Sequence, residues 1–294
     1  IVLERIRLPE PVVSMAVEPK TQADRDELTR ALEALSEEDP TFKVARHPDT
    51  GQMLVSGMGE LHLEIIKDRL WREYKVRANA GEPMVAYRET LGGSAGAAHC
   101  FDREIAGSRQ FGGLELALAP AARQAGNSIA FDVSPEALPE AFRDDVAAGL
   151  QDALATGLLG PFPIVDVAVR VVAAEWHPKD STGTAFRTAA VMAFREAFRR
   201  ASPVILEPIM ALDIVAPAET LGDVLGDLSA RRGKVKGLGS QPPAQIIRAE
   251  VPLAELFGYT TAIRSLTRGR AHYTMEPLLF EVVPEQIQQR ILSR

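Results

Sequence analysis

Three places in this 294-residue sequence hold residues whose types and spacing could do chemistry. The first is Gly59-Glu60-Leu61-His62-Leu63-Glu64. A carboxylate, imidazole, carboxylate set would suit a metal ion. On a helix, however, Glu60 and Glu64 share a face while His62 stands about 200° around from Glu60. One helix does not aim all three at one ion, and no metal is expected. The second is Trp176-His177-Pro178-Lys179-Asp180, a turn between a strand and a helix. A histidine near an aspartate invites acid–base chemistry, but no nucleophile or second base accompanies it. A contact residue on an exposed loop is the sharper use, and a loop histidine without a role is the plain one. The third is basic. Arg231, Arg232, Lys234 and Lys236 fall within six positions, and Arg264, Arg268 and Arg270 within seven, on a glycine-bearing loop. Such clusters are what contact with RNA phosphates requires; a solvated face is the alternative.

Nothing else resembles an active site. There is no G-x-x-x-x-G-K-[ST], no G-x-G-x-x-G after a strand, no G-x-S-x-G and no zincin motif. Gly222, Gly226 and Gly233 are widely spaced on or after a helix and cradle no phosphate. The chain therefore reads as no enzyme by itself, with no cofactor of its own. Its single cysteine, Cys100, excludes an internal disulfide and points to a reducing, cytoplasmic setting. No apolar run approaches the roughly 18 residues of a membrane span, so no membrane partner is expected. The opening Ile1-Val2-Leu3-Glu4-Arg5 lacks both a signal-peptide pattern and an initiator Met, and reads as the start of an excised piece. The net charge of −7 argues against a broad nucleic-acid coat. The charge is uneven, however. Residues 1–81 carry 12 basic and 15 acidic side chains, residues 82–202 carry 11 and 15, and residues 203–294 carry 10 of each.

The elements that must position these residues fall into three blocks. In residues 1–81, a strand over Val12–Val17 leads to Thr21, a helix N-cap with Asp24 at the capping-box position. The helix runs to Glu38 with Leu28, Ala31, Leu32 and Leu35 on its apolar stripe, and Asp39-Pro40 stops it. Strands at Phe42–Arg46 and Met53–Ser56 flank a turn at His47–Gly51. A second helix, Glu60–Tyr74, is expected to face Leu61, Ile65 and Leu70 inward, before a closing strand over Lys75–Ala80. This order is β-α-β-β-α-β. In residues 82–202 we expect a strand at Gly113–Leu118, a helix at Pro139–Leu158, a strand at Ile164–Val172 and a long helix at Thr184–Arg200. Residues 203–294 repeat β-α-β-β-α-β. A strand over Leu206–Val215 is followed by a helix opened by Pro217. Strands at Lys234–Leu238 and Ala244–Glu250 come next, then a helix starting over Pro252–Phe257 and a strand at Tyr273–Val282. A final helix spans Glu285–Ser293. The block boundaries at Glu82-Pro83 and Ser202-Pro203 are tight, so rearrangement between packed domains is a plausible mode of action.

Several stretches resemble the elongation factor G family of translational GTPases. They include Val17-Glu18-Pro19-Lys20-Thr21, Glu37-Glu38-Asp39-Pro40-Thr41-Phe42, Ser56-Gly57-Met58-Gly59-Glu60-Leu61-His62-Leu63-Glu64-Ile65 and Val85-Ala86-Tyr87-Arg88-Glu89-Thr90. The third block adds Pro203 to Met210, Gly222 to Leu228, Ala230 to Gly233 and Val251 to Tyr259. The resemblance covers nearly the whole chain. It implies domains III, IV and V of that family: an α+β protein with two ferredoxin-like β-α-β-β-α-β sandwiches flanking an elongated, ribosomal-protein-type α+β domain. The implied partners are the ribosome, through its RNA and proteins, and tRNA–mRNA at the decoding centre, engaged by a monomer. GTP and Mg would belong to a GTPase domain preceding Ile1, together with a β-barrel domain.

Two tip features carry over by resemblance. The family's tip histidine lies in a Tyr-His-x-x-Asp setting, matched here at His177 and Asp180, with Lys179 beside it. The family's second tip loop is glycine-rich and basic. Its counterpart is Ala106-Gly107-Ser108-Arg109-Gln110-Phe111-Gly112, where Gly107, Gln110, Phe111 and Gly112 fit but the Gly-Arg-Gly core does not. The approach, Cys100-Phe101-Asp102-Arg103-Glu104, sets one arginine between acids, which weakens attraction to phosphate. A diverged paralogue acting in ribosome recycling or protection is therefore the alternative to a translocase, beside a stand-alone RNA-binding module. His62 matches a domain III position that the resemblance places near the GTPase domain, at an interdomain or drug pocket.

Overall fold

The computed structural model describes residues 11, 13–21, 24–46, 53–81, 84–241 and 243–293. The turn expected at His47–Gly51 lies outside them. The first block forms β1 (Val13–Pro19), α1 (Arg25–Glu38), β2 (Lys43–Arg46), β3 (Met53–Gly57), α2 (Glu60–Arg72) and β4 (Ala78–Ala80). The sheet order is β2-β3-β1-β4 with antiparallel neighbours, the order a split βαβ chain produces. A short β5 (Met84–Val85) adds to β1. Thr21 accepts the Asp24 N–H at 3.3 Å, and α1 starts one residue later. Its buried stripe is Leu28, Ala31, Leu32 and Leu35, as the periodicity predicts.

In α2 the inward face differs from expectation. Leu63, Ile66 and Leu70 are buried, whereas Leu61 and Ile65 are 65% and 51% exposed. The reason is angular. Leu61 and Leu70 are nine residues apart, about half a turn out of phase, while Leu63, Ile66 and Leu70 follow 3-then-4 spacing.

The middle block contributes β6 (Arg88–Leu91), β7 (Ala95–Ile105), β8 (Ser108–Pro120), β9 (Ser128–Phe131), α3 (Glu140–Thr156), β10 (Val167–Glu175) and α4 (Gly183–Arg200). The strand order is β7-β8-β10-β9, antiparallel except for the parallel β9–β10 pair. Helices α3 and α4 bury Leu150, Leu154, Phe186, Phe194 and Phe198 in one core with Leu116, Leu118, Val169 and Val171 of the sheet. Thr182 caps α4, its hydroxyl accepting the Ala185 N–H at 3.2 Å.

The third block forms β11 (Pro203–Pro217), α5 (Leu221–Ala230), β12 (Lys234–Gln241), β13 (Ala244–Pro252), α6 (Tyr259–Thr267), β14 (His272–Val282) and α7 (Glu285–Leu292). The order β12-β13-β11-β14 repeats the topology of the first block. Pro217 and Pro252 each precede a single 3₁₀ turn, at Ala218–Thr220 and Leu253–Glu255. The helix expected from Pro252 begins only at Tyr259, because Gly258 adopts a left-handed conformation (φ 70°) that interrupts the run.

By internal contact the chain divides into two compact units. One comprises Ile1–Ala86 with Glu207–Glu281, and the other Tyr87–Leu206 with Val282–Arg294. Helix α7 thus falls in the unit that holds the middle block, where the Val283 N–H donates to the Ile205 carbonyl at 2.9 Å.

Candidate functional site

The segment aligned with a glycine-rich tip loop is a hairpin. Strands β7 and β8 pair without interruption down to Ile105 opposite Ser108. Only Ala106 and Gly107 form the turn, with φ of 52° and 79°. Two positive φ values mark a type I′ turn, whose twist matches the flanking strands. Gly107 adopts this conformation freely, whereas Ala106 carries the steric cost of a Cβ in the left-handed region. Ala106→Gly is accordingly expected to stabilise this unit by about 0.5–1 kcal/mol, read as a higher midpoint in urea unfolding. Ser108, Arg109, Gln110, Phe111 and Gly112, expected in a loop, are strand residues of β8.

The turn bearing His177 lies against this hairpin. The Phe111 N–H donates to the Asp180 carbonyl at 2.8 Å, and the Ser181 hydroxyl accepts the His177 N–H at 2.8 Å. Asp180 joins the hairpin and the His177 turn through its side chain. Its Oδ2 lies 3.2 Å from His177 Nδ1 and 3.5 Å from an Arg109 guanidinium nitrogen. The His177 ring is half exposed and Lys179 is exposed. Trp176 donates its indole N–H to the Glu136 carbonyl at 2.8 Å. A cleft of about 480 Å³ opens beside these groups, with Arg109, Phe111, Trp176 and His177 among its walls.

Arg109 is held more firmly by a residue of its own hairpin. Its Nε and one terminal nitrogen each donate at 2.8 Å to the two Asp102 carboxylate oxygens. The guanidinium also lies 5.5 Å from the Phe111 ring centre. Beside it, the Asp102 carboxyl is held below its usual range by the hydrogen bonds from Arg109. Burial pushes the nearby Cys100 thiol up, and the Asp102 and Glu175 charges add to the shift, so this cysteine is a poor thiolate.

The basic candidates separate into two kinds. Arg232 donates to the two Glu207 oxygens at 2.6 and 2.9 Å and to Glu255 at 2.9 Å. Arg231 bonds Asp227 at 2.9 Å and the Glu255 carbonyl at 2.5 Å. Lys234 pairs with Glu281 at 2.7 Å, Lys236 with Glu250 at 2.9 Å and Arg270 with Glu219 at 2.5 Å. Arg264 and Arg268 differ. Arg264 stands in the last turn of α6, and Arg268 caps that helix with φ 55°. Both are exposed, and no described residue forms an ion pair with either. The expected loop is therefore helix up to Thr267 and loop only from Arg268 onward, so Arg264 and Arg268 lie on either side of the helix end.

His62 organises the start of α2. Its Nδ1 accepts the Met58 N–H at 3.1 Å, which leaves Nε2 to face Asp39 Oδ2 at 3.0 Å, and its ring meets Phe42 edge-on. Around Asp39, burial opposes ionisation, but the hydroxyl and amide of Thr41 together with His62 outweigh it and leave the carboxyl below its ordinary value. Among the described residues no group of three His, Cys, Asp or Glu side chains is placed to hold a metal ion. A larger hollow, about 560 Å³, lies under α2 among the core side chains Met15, Val17, Val55 and Leu70. Lys20, Glu64, Lys67, Asp68 and Arg77 also line it, and neither His62 nor any candidate of the tip or of the basic runs is among its walls.

Three family models match in succession: Elongation Factor G, domain III, over residues 8–82; Elongation factor G, domain IV, over 83–202; and Elongation factor G C-terminus, over 204–291. A curated relative, Elongation factor G of Chlamydia caviae, is 46% identical over all 294 residues of the chain. The chain belongs to the elongation factor G family. It spans 42% of the length of that relative. A crystal structure of a Thermus thermophilus protein, 37% identical, matches 98% of the chain and 43% of its own length with a TM-score of 0.75. The hairpin and the His177 turn both fall within the elongation factor G domain IV match, and Arg264 and Arg268 within the C-terminal one. No helix among the described residues is long and apolar enough to cross a membrane.

Asp102 is not legible in the sequence as the partner of Arg109. Seven residues separate them, a spacing with no meaning until the turn is known to be two residues long. Only then do Asp102 and Arg109 become diagonal neighbours on one face of the hairpin.

Proposed function

We propose that this chain is the ribosome-binding portion of an elongation factor G-type translational GTPase acting in the cytoplasm. Domains outside the chain hold GTP and Mg and hydrolyse the nucleotide. Domain IV, through the hairpin and His177, carries the resulting rearrangement to tRNA and mRNA at the decoding centre. The observation that carries this reading is the succession of three elongation factor G family matches from residue 8 to residue 291. Arg264 and Arg268 are the residues proposed to face ribosomal RNA phosphate, because both are exposed and neither forms a direct ion pair with a described residue. Leu61 and Ile65, exposed beside His62, supply an apolar face for domains outside the chain.

The test is cosedimentation of the full-length protein with 70S ribosomes, with and without a non-hydrolysable GTP analogue. Binding is expected to depend on the analogue, and Arg264→Glu/Arg268→Glu to weaken it by roughly tenfold at low salt, since two phosphate contacts are reversed. Ribosome binding indifferent to the analogue would refute the reading. One observation favours a second reading, in ribosome recycling or protection. The second tip segment is a closed hairpin whose arginine is already neutralised, where an open basic loop would grip RNA. A translocation assay beside a recycling assay separates the two.

A further inference from the structure

We propose that Asp102 sets how strongly the domain IV tip holds RNA phosphate, by keeping the Arg109 guanidinium bound to its own hairpin. The inference rests on the reading of this chain as a ribosome-binding factor. Arginine recognises phosphate through a planar fork of two parallel N–H donors. In this hairpin the fork is already filled, with Asp102 taking one bond from Nε and one from a terminal nitrogen, each at 2.8 Å. The remaining terminal nitrogen faces Asp180 at 3.5 Å. An RNA phosphate reaching Arg109 must displace Asp102, and it then leaves that carboxylate beside a second anion.

The charges of the tip point the same way. Asp102, Glu104 and Asp180 oppose Arg103, Arg109 and Lys179, so the tip offers phosphate no net attraction while the pair is closed. Arg109 and Asp102 are both about half exposed. An ion pair in that position is weak, so a ligand displaces it at modest cost. Asp102 therefore tunes the grip of the tip and does not abolish it.

Glu104 provides an internal control. It stands directly opposite Arg109 in the strand register, yet the guanidinium bonds Asp102. Glu104→Gln removes one negative charge from the same hairpin without releasing Arg109. Asp102→Asn removes the same charge and frees the fork.

The experiment measures binding of the full-length protein to 70S ribosomes, in the presence of the non-hydrolysable GTP analogue, over a series of KCl concentrations. Asp102→Asn is expected to tighten binding several-fold at low salt. It is also expected to steepen the slope of log affinity against log salt by about 0.7–0.9, the signature of one added phosphate contact. Glu104→Gln is expected to change the slope little. Asp102→Asn/Arg109→Ala is expected to match Arg109→Ala alone. The proposal is overturned if Asp102→Asn leaves the slope unchanged, if Glu104→Gln matches it, or if the double variant keeps the gain. Absence of ribosome binding by both wild type and Asp102→Asn would instead sink the functional reading on which the inference rests.

Discussion

Glu89→Ala is expected to destabilise the unit that carries the β7–β8 hairpin by about 3–4 kcal/mol. Glu89 is fully buried in β6. Its Oε2 accepts the amides of Leu158 and Leu159 at 2.8 and 2.9 Å, and its Oε1 the amide of Gly160 at 2.8 Å. Its main chain is also engaged, donating to the Pro163 carbonyl and accepting from the Val165 amide. One carboxylate thus closes the connection from α3 to β10, whose tight course shows at Gly157. There φ is 77°, and a Cβ would stand 2.2 Å from the Phe162 carbonyl oxygen. An alanine at 89 removes the acceptor of three amide donors and leaves a void. Glu89→Gln is a milder lesion, about 1–2 kcal/mol, because its amide NH₂ would meet one donor while its oxygen serves the others. Hydrogen exchange at the Leu158, Leu159 and Gly160 amides is the local readout, and protection unchanged in Glu89→Ala would contradict the assignment.

The same residue gives this unit a pH dependence. Burial pushes the Glu89 carboxyl above its ordinary value, against the pull of the three amides. A carboxyl raised on folding holds its proton more tightly in the native state than in the unfolded one. Stability is therefore lost as pH rises from the ordinary glutamate value through the raised one. Asp39 in domain III works in the opposite sense. Its carboxyl is lowered on folding, so its contribution is present above the ordinary aspartate value and is lost as pH falls through the lowered one.

Much of the fold was legible because helix period and turn chemistry agree with tertiary packing. In α1 the stripe from Leu28 to Leu35 reads off the sequence and is the stripe that is buried. In α2 two apolar rows compete, one led by Leu61 and Ile65 and the other by Leu63 and Ile66. Only contact with the sheet decides between them. Strand β7 was invisible for a different reason. Its run Ala-Gly-Ala-Ala-His-Cys carries almost no β-branched or aromatic side chains, and it becomes a strand because β8 pairs with it along its length. The site was half legible. The types and spacing of His177 and Asp180 could be read, whereas the commitments of the basic residues could not. A run such as Arg231-Arg232-Gly233-Lys234 looks free in sequence, because apart from Asp227, one helical turn before Arg231, the acids that neutralise it are the distant Glu207, Glu255 and Glu281.

That distinction sets the other large effect. Arg232→Ala is expected to cost the unit that holds it about 3 kcal/mol or more, although the residue sits in what reads as an RNA-binding cluster. Glu207 is 2% exposed and accepts two bonds from Arg232. Losing the arginine leaves a buried carboxylate without its cation, the costly half of breaking such a pair. Glu207→Ala should cost somewhat less, since Arg232 retains Glu255 and partial access to water. The paired change Arg232→Met/Glu207→Leu should recover much of either loss, because it removes both charges and keeps apolar volume. Urea unfolding of wild type, Arg232→Met, Glu207→Leu and the double variant gives the coupling directly, and additive losses would show that the two residues do not act as a pair. Where the protein remains folded, Arg232→Met/Glu207→Leu should also leave the salt dependence of ribosome binding unchanged, while Arg264→Glu/Arg268→Glu lowers it without a comparable loss of stability. The opposite pattern would place the phosphate contact in the Arg231–Lys236 run.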